Sequence, residues 1–478
     1  MKNLIASIVL FITVIFLFNA CEDRSDLTAP VPLNGKSGDA DLTKYVAIGN
    51  SLTAGYQSGT LFYSAQIYAF PYLIAQQAGV EMTGLKVSDP GLGGRLEIKS
   101  LSPFALYTNP NSGSLMNLTL PAPYQNLGVP GALAYDVLFA TNKDNCASAV
   151  FAGTPNPYFD HVLRNNALNI GTQLQQALAQ NPTLITLWIG NNDVLGYATS
   201  GGTAPTTPTS ATQFQQLFGG ICGGIAQAGK QAVVANIPNV SAIPFFTTVG
   251  PQIALSTPWY QLASQGVVGL VYQKTGGTIG VADSSSLLTG TNLVTLRGSS
   301  YAPLLGQPTG KFYRDNGLSI PGGIDTTKPF GFHPQNPWPN SLILDTDEIQ
   351  IANQAVTNYN NIIASTAANF NFAVVDINSV FNQIRQNDFT GGTVYNGVTF
   401  RTTFVTGGLF SLDGVHPTNQ GQAIIANEFI KVINNKYNAQ FPLVDVSAIP
   451  GSLIFAGKIN FQNGYPILPP EVFEHLLF

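Results

Sequence analysis

The stretch YVAIGNS, residues 45–51, sets the pattern from which the fold is predicted. Its first five residues are nearly all apolar and end at Gly49, and two polar residues follow directly. A short, continuous apolar run of this kind is typical of a β-strand that is covered on both faces. Similar runs recur at 184–189, 231–237 and 372–377. We therefore predict that these four segments are strands of one buried sheet.

Helical patterns separate these strands. Residues 168–180, 211–228 and 348–367 each precede one of the three later apolar runs, and 419–437 is rich in Ala and Ile. Strands that alternate with helices indicate a mostly parallel sheet between two helical layers. The predicted fold class is therefore α/β, with a three-layer α/β/α arrangement.

Three regions do not follow this alternation and are predicted to be long insertions. They are residues 80–125, 240–343 and 387–410, in which Gly, Pro, Ser and Thr are frequent, and the last contains a hairpin signal at Asn396-Gly397. Insertions beyond the carboxyl ends of parallel strands usually shape the ligand site. The length of the chain fits one large domain with such insertions, or two domains.

The N-terminal segment has the layout of a cleaved export signal. Lys2 is followed by an apolar run, residues 4–18, and then by Asn-Ala before Cys21. Cysteine at this place resembles a bacterial lipoprotein signal, in which Cys21 becomes the lipidated first residue. The alternative is an uncleaved anchor helix. Residues 22–42 contain Pro, Gly and charges and are predicted to be a flexible tether. We expect an exported lipoprotein, at the periplasmic or outer face of an outer membrane.

Composition narrows the class of protein. Charged residues are only 9% and hydrophobic residues 45%, which favours a sizeable core over disorder. The net charge is −5 and there is no basic cluster, so nucleic acid is not an expected partner. Cys146 and Cys222 are either bonded to each other, which an exported compartment permits, or two separate buried thiols. Neither has a nearby Cys or His in the sequence, so no zinc site is predicted.

Polar residues of catalytic type occur in three predicted turns. Ser51 follows the first strand, Asn192 lies in the turn Gly190–Asp193, and Asp413 precedes His416 by three residues. Each has an ordinary structural explanation: a helix cap, a strand-end turn and a local Asp–His contact. Together they supply a nucleophile, an amide donor for an oxyanion, and an acid–base pair. The combination favours a nucleophilic active site.

The order of these turns resembles the GDSL lipolytic family, also called SGNH hydrolases. The family's first block is matched by Gly49-Asn50-Ser51-Leu52, its third by Gly190–Asp193 and its fifth by Asp413–His416. The glycine of the second block is matched best by Gly131, with Gly128 as the alternative. The match runs in family order from residue 45 to 436, with large unmatched insertions.

The resemblance implies a role for each matched residue. Ser51 corresponds to the nucleophile, His416 to the general base and then acid, and Asp413 to the residue that orients the histidine. The oxyanion hole corresponds to the N–H groups of Ser51 and Gly131 and the side chain of Asn192. No metal or organic cofactor is implied.

The family further implies a flavodoxin-like three-layer fold, with residues 43–478 as a single domain. It implies ester hydrolysis through an acyl-enzyme, on either an acyl lipid or an acetylated glycan. Asn50 departs from the family pattern, which has Asp beside the serine. This departure and the large insertions keep open a second hypothesis, in which the chain is a non-catalytic surface lipoprotein that binds glycan or lipid.

Aromatic residues in the insertion 240–343 are candidates for stacking on a sugar or lining a lipid channel, and ordinary packing is the alternative. They are Trp259, Tyr260, Tyr272, Tyr301, Phe312, Phe330, Phe332 and Trp338.

Overall fold

The computed structural model describes residues 36–101, 104–205, 207–455, 461–462 and 465–466. The predicted signal segment, Cys21 and the tether up to residue 35 lie outside the described residues. The strands are β1 (Tyr45–Gly49), β2 (Leu96–Leu101), β3 (Phe104–Thr108), β4 (Asn126–Gly128), β5 (Leu184–Trp188), β6 (Gln231–Ala235), β7 (Leu270–Gln273), β8 (Ile279–Ala282), β9 (Leu293–Val294), β10 (Ile343–Leu344), β11 (Ala373–Val375), β12 (Thr393–Tyr395), β13 (Val398–Phe400), β14 (Phe461–Gln462) and β15 (Tyr465–Pro466).

The α-helices are α1 (Ser51–Ala54), α2 (Tyr63–Gln66), α3 (Phe70–Gln77), α4 (Ala134–Phe139), α5 (Ala147–Ala152), α6 (Tyr158–Leu163), α7 (Asn165–Leu168), α8 (Gln173–Ala179), α9 (Asn192–Thr199), α10 (Ala211–Gln227), α11 (Pro244–Thr247), α12 (Val249–Ser256), α13 (Trp259–Leu262), α14 (Ser284–Thr289), α15 (Lys311–Asp315), α16 (Thr346–Asn369), α17 (Ile377–Asn387) and α18 (Asn419–Lys436). Short 3₁₀ turns cover Val240–Ala242, Ala263–Gln265, Leu296–Ser300, Ala302–Leu304, Asn340–Leu342, Asp388–Thr390 and Val446–Ala448.

Five strands form the central sheet, in the order β11-β6-β5-β1-β4, and every neighbouring pair is parallel. Numbered along the chain within this sheet, the order is 2-1-3-4-5, which is the flavodoxin-like arrangement. Gly49 at the end of β1 pairs with Trp188 of β5 and Gly128 of β4, so the carboxyl ends of these three strands are level. The predicted α/β fold class is confirmed. The prediction from apolar runs missed β4, because that strand has three residues and begins with Asn126.

Helices cover both faces of this sheet. α8, α10 and α16 pack on one face, while α3 and α18 pack on the other. In α10 the buried residues Phe214, Phe218, Ile221 and Ile225 recur at helical spacing, which turns one apolar stripe toward the sheet. The helix predicted at 168–180 begins only at Gln173, because the side chain of the preceding threonine caps it there.

The insertion 240–343 builds a second apolar core of its own. Leu270 of β7 and Trp338 are fully buried in it. Five of the eight aromatic candidates are buried here, which makes them packing residues: Tyr272, Tyr301, Phe312, Phe330 and Trp338. In the insertion 387–410, Asn396 and Gly397 adopt positive φ values of 47° and 80° between β12 and β13, so the predicted hairpin is confirmed.

Two expectations about the rest of the chain change. Cys146 and Cys222 are both free and fully buried, so the disulfide interpretation is wrong and the alternative of two separate thiols holds. Cys222 faces the core from α10, and burial raises its thiol pKa to about 12.

Residues 36–42, predicted as the end of the tether, are packed against the domain. Ala40 and Leu42 are buried, and their burial fixes this segment to the domain. No helix among the described residues is long and apolar enough to span a bilayer.

Candidate active site

Ser51 lies where β1 turns into α1. Asn50 is the N-cap of this short helix, and its side-chain oxygen accepts a hydrogen bond from the Leu52 N–H at 3.0 Å. Any side chain at Gly49 would meet the carbonyl oxygen of Trp188 at 2.6 Å, so the tight turn requires glycine. Because β4 and β5 flank β1 on opposite sides, Ser51 lies at the topological switch point of the sheet, where α/β proteins bind ligands.

The turn between β13 and α18 brings His416 to Ser51. The Nε2 atom of His416 lies 2.9 Å from Oγ of Ser51, and its Nδ1 atom lies 3.0 Å from Oδ2 of Asp413. Since a carboxylate only accepts hydrogen bonds, Nδ1 carries the proton and the lone pair of Nε2 faces the serine hydroxyl. Three residues separated by up to 365 positions in the chain therefore form one hydrogen-bonded series.

Asp413 is held by backbone groups on both of its oxygens. Oδ1 accepts from the N–H groups of Val415 and His416, both at 2.9 Å, and Oδ2 also accepts from the Gly59 N–H at 3.1 Å. Burial acts to raise the pKa of Asp413, but the His416 side chain and the N–H groups of His416 and Val415 outweigh it and hold the pKa below its usual value. The side chain is therefore a fixed carboxylate that can orient the imidazole.

The predicted site lacked a second group of residues that position the histidine and aspartate. The Tyr56 ring packs on the His416 ring, with centroids 4.7 Å apart, and its hydroxyl donates to the Gly59 carbonyl. Ser411 donates to Asp413 Oδ1 at 3.1 Å. Ser411 lies two residues before Asp413, and this spacing is only a weak sequence signal that the two side chains contact each other. Nothing in the sequence alone places Tyr56 beside His416, because 360 residues separate them.

Gly131 lies in the turn after β4 and Asn192 is the first residue of α9, after β5; Asn192 lines the cavity that contains Ser51, whereas Gly131 does not. Both line one cleft of about 520 Å³. Gly131 has a φ of +83°, which favours glycine, and its N–H has no hydrogen-bond partner in the described part of the structure. Gly128, the alternative, is instead the last residue of β4 and packs against the backbone of α1. The side chain of Asn192 donates one amide hydrogen to the Ala132 carbonyl at 2.9 Å and keeps a second for a ligand.

Asp193 joins these two turns. One of its oxygens accepts from the Ala134 N–H and the other from the Thr209 hydroxyl, each at 2.9 Å. The neighbouring Asp136 accepts from Leu133 N–H at 2.8 Å. Burial raises the pKa of Asp193 to about 6 and that of Asp136 to about 7. These carboxyl groups fix the loop that carries Gly131 and are structural.

Asn50 makes a second contact, beyond the helix cap. Its amide nitrogen donates to the side-chain oxygen of Asn191 at 3.2 Å, and the two side chains are buried. Asn50 therefore connects the turn after β1 to the turn after β5. Of the other histidines, His161 lies in α6 and His333 lines a separate cavity of the insertion 240–343, while His475 is outside the described residues.

The cavity next to the serine is small and uncharged. Ser51, His416 and Asn192 line a space of about 40 Å³, whose other walls include Trp188 and Phe410. None of the residues that line it is Asp, Glu, Lys or Arg. Among the described residues there is no cluster of His, Cys, Asp or Glu that fits a metal ion.

A serine, a histidine and an aspartate joined in this way, at the carboxyl edge of a parallel sheet, form the triad arrangement of serine hydrolases. The family model of the GDSL-like lipase/acylhydrolases matches residues 45–270 and 301–429, which make up well over half of the chain. The chain therefore belongs to the GDSL-like lipase/acylhydrolase family. This agrees with the block pattern of the sequence.

Several solved structures are similar to this chain at low identity. A lipase/acylhydrolase from Enterococcus faecalis is 11% identical, with 84% of this chain and 99% of that chain covered and a TM-score of 0.31. An extracellular lipase from Streptomyces rimosus is 13% identical, with 82% and 99% covered and a TM-score of 0.28. An acetyl-xylooligosaccharide esterase from a Geobacillus species is 10% identical, with 83% and 96% covered and a TM-score of 0.33. Among curated proteins, none matches the chain significantly.

Proposed function

We propose that the protein is a serine esterase that cleaves carboxylic esters of uncharged substrates through an acyl-enzyme. The observation that carries this proposal is the hydrogen-bonded series from Ser51 through His416 to Asp413, with distances of 2.9 Å and 3.0 Å. In a triad these three residues are the nucleophile, the general base and the group that orients the base.

In the first half of the reaction, Oγ of Ser51 attacks the ester carbonyl carbon while Nε2 of His416 takes the hydroxyl proton. The carbonyl oxygen becomes an oxyanion. The donors near it are the N–H groups of Ser51 and Gly131 and the free amide hydrogen of Asn192. When the tetrahedral intermediate collapses, the bond to the alcohol oxygen breaks and His416 returns the proton to that oxygen.

In the second half, a water molecule takes the place of the alcohol. His416 accepts a proton from this water as it attacks the acyl carbon, and the same donors face the second oxyanion. The ester bond to Ser51 then breaks, the serine recovers its proton from His416, and the carboxylic acid leaves.

The residues that line the cleft support the proposal that the substrates are uncharged. Every residue lining the 520 Å³ cleft beside Gly131 and Asn192 is uncharged. A substrate with a carboxylate or phosphate next to its ester would find no cation here. The hypothesis of a non-catalytic binding protein rested on Asn50 and on the large insertions. The contacts of Asn50 leave the spacing of the triad intact.

The test replaces Ser51 with Ala and measures hydrolysis of p-nitrophenyl acetate. We expect the wild type to turn over and S51A to lose at least about 10³-fold in kcat. The exposed Ser285, in α14, provides a matched control, and Ser285→Ala should keep full activity. Covalent labelling by a fluorophosphonate, located by mass spectrometry, should fall on Ser51. Equal rates for wild type and S51A, or no label at Ser51, would show that the fold is used for binding without turnover.

We also propose that the esterase is exported and anchored through a lipid on Cys21. The support is the sequence of residues 1–21, with its short apolar run before cysteine. Radiolabelled palmitate should be incorporated into the full chain expressed in a Gram-negative host, and Cys21→Ser should abolish the label. An unchanged label in the C21S variant would refute the anchor and leave the proposed activity unaffected.

A further inference from the structure

We infer that the acyl group accepted by this site is of acetyl size and that Phe410 sets this limit. The inference rests on the proposed function and names the substrate class of the same site. It concerns esters that combine a short acyl group with a bulky, uncharged alcohol.

The first step is the volume next to the nucleophile. The cavity that contains Ser51 and His416 holds about 40 Å³. By the same measure the cleft beside Gly131 and Asn192 holds about 520 Å³, so the space at the serine is more than ten times smaller and fits a group of only a few atoms. An acetyl group has three non-hydrogen atoms. A longer chain would have to displace the cavity walls.

Those walls are firmly packed. Trp188 is fully buried, Phe410 is 4% exposed and Phe381 is 8% exposed. The rings of Phe381 and Phe410 meet edge to face, with centroids 5.7 Å apart and planes at 83°. Because tightly packed side chains resist an added methylene, the cavity is expected to discriminate by size.

Behind Phe410 lies a much larger space, whose walls mix aromatic and aliphatic side chains with polar ones. Phe410 also lines a groove of about 890 Å³, whose other walls include Phe104, Phe404 and Phe455. Phe410 forms a β-bridge with Pro417, the residue after His416. This bridge holds Phe410 beside the catalytic turn, so its ring forms a wall of both spaces. Phe410 is therefore the partition between a space for two or three atoms and a space for a long alkyl chain.

The alcohol has room in the other direction. The small cavity and the 520 Å³ cleft share Asn192 and Leu195, so the cleft opens next to the predicted oxyanion donors. Its walls combine Tyr135 and Phe151 with the hydroxyl groups of Ser148 and Thr199. Such a mixture fits a large alcohol that has both apolar and hydroxyl surfaces.

The experiment measures kcat/KM for p-nitrophenyl esters of acetate, butyrate, hexanoate and octanoate, and for acetates of phenol and 1-naphthol. We expect the wild type to prefer acetate over hexanoate by roughly tenfold or more, since one methylene in a fitted pocket is worth about 10–200-fold. Both acetates should be hydrolysed within a few-fold of each other. In Phe410→Ala, the acetate-to-hexanoate ratio should fall at least about tenfold.

Phe404→Ala is the matched control, because it removes a ring from the large groove and leaves the cavity at Ser51 intact. Its chain-length profile should equal that of the wild type. Phe410→Leu, a smaller change, gives an intermediate profile and serves if F410A does not fold, as judged by circular dichroism.

Two results would overturn the inference. The first is a wild type that hydrolyses octanoate as fast as acetate, and the second is an unchanged profile in the folded Phe410 variants. Either result leaves the proposed esterase function standing if hydrolysis still depends on Ser51. Absence of Ser51-dependent hydrolysis of every ester would instead refute the function itself.

Discussion

Replacing Asp413 with Asn changes one atom of the proposed triad and tests its geometry directly. Oδ1 of Asp413 faces three donors: the N–H groups of Val415 and His416 and the Ser411 hydroxyl. Oδ2 faces the Gly59 N–H and Nδ1 of His416. An asparagine has one oxygen, so it keeps most of its bonds by placing that oxygen at the Oδ1 position.

The amide NH₂ then points at His416 and Gly59. It can donate to His416 only if Nδ1 has no proton, which moves the proton to Nε2. An Nε2 that carries a proton cannot take another from Ser51, whose Oγ lies 2.9 Å away. Aspartate-to-asparagine exchange in a triad costs about 10⁴-fold in kcat by this change of tautomer, or about 5.4 kcal/mol of barrier. The Gly59 N–H also loses its acceptor, which destabilises the fold by about 1–3 kcal/mol.

The assay compares kcat for p-nitrophenyl acetate in wild type, D413N and S51A, with urea unfolding of each. We expect D413N to lose about 10⁴-fold in kcat and to remain folded. S51A should be inactive and about as stable as the wild type, because its change leaves the Asp413–His416 bond in place. A D413N variant that keeps more than a tenth of wild-type kcat would refute the argument that this hydrogen bond sets the histidine tautomer.

Three further outcomes follow from the site. Asn192→Ala removes one of the proposed oxyanion donors, and kcat should fall about 10²–10³-fold at nearly constant KM; a pure rise in KM would exclude this role. Tyr56→Leu frees the imidazole of His416 and should lower kcat about 10- to 100-fold, whereas Tyr56→Phe keeps the ring and most of the activity; equal losses in both would point to the hydroxyl instead. Burial raises the pKa of Asp136 to about 7 from an unfolded value near 4, so its stabilising contribution is largest below about pH 4 and is lost as the pH rises toward 7. Asp136→Asn should therefore be less stable than wild type at pH 5, with a gap that narrows by roughly 2–3 kcal/mol by pH 8 in urea titrations; a constant gap would contradict the shifted pKa.

The sheet could be predicted because its strands are buried on both faces. Such strands give continuous apolar runs, and Leu184–Trp188 and Tyr45–Gly49 stand out for that reason. Asn126–Gly128 escaped because its three residues carry too short a run, although it pairs with β1 throughout its length. The pattern of apolar residues along the chain thus predicts the longer central strands, but it misses a short strand at the edge of the sheet.

The candidate site was predictable only where its chemistry is local. Asp413 and His416 are three residues apart, and Ser51 and Asn192 each come two residues after a glycine at or near the end of a strand, so block patterns identify them. Tyr56 contacts the same histidine but comes from a distant turn, and its position depends on packing that no local pattern encodes. The small size of the cavity was equally hidden, because its walls come from several separate segments.

Asn50 is the residue that sequence comparison alone would count against catalysis, and its contacts reverse that inference. Its oxygen accepts from Leu52 N–H, as an aspartate oxygen would, so the helix cap and the position of Ser51 need no charge. Its nitrogen donates to the side-chain oxygen of Asn191. An aspartate has no hydrogen to donate there, so it could keep the contact only if the Asn191 amide rotated to present its NH₂ group. Asn50 is fully buried, so a carboxylate there would place a desolvated negative charge beside the serine that must stabilise an oxyanion. An uncharged amide connects the same two turns without that opposing charge, and the departure from the family pattern is therefore compatible with an active serine.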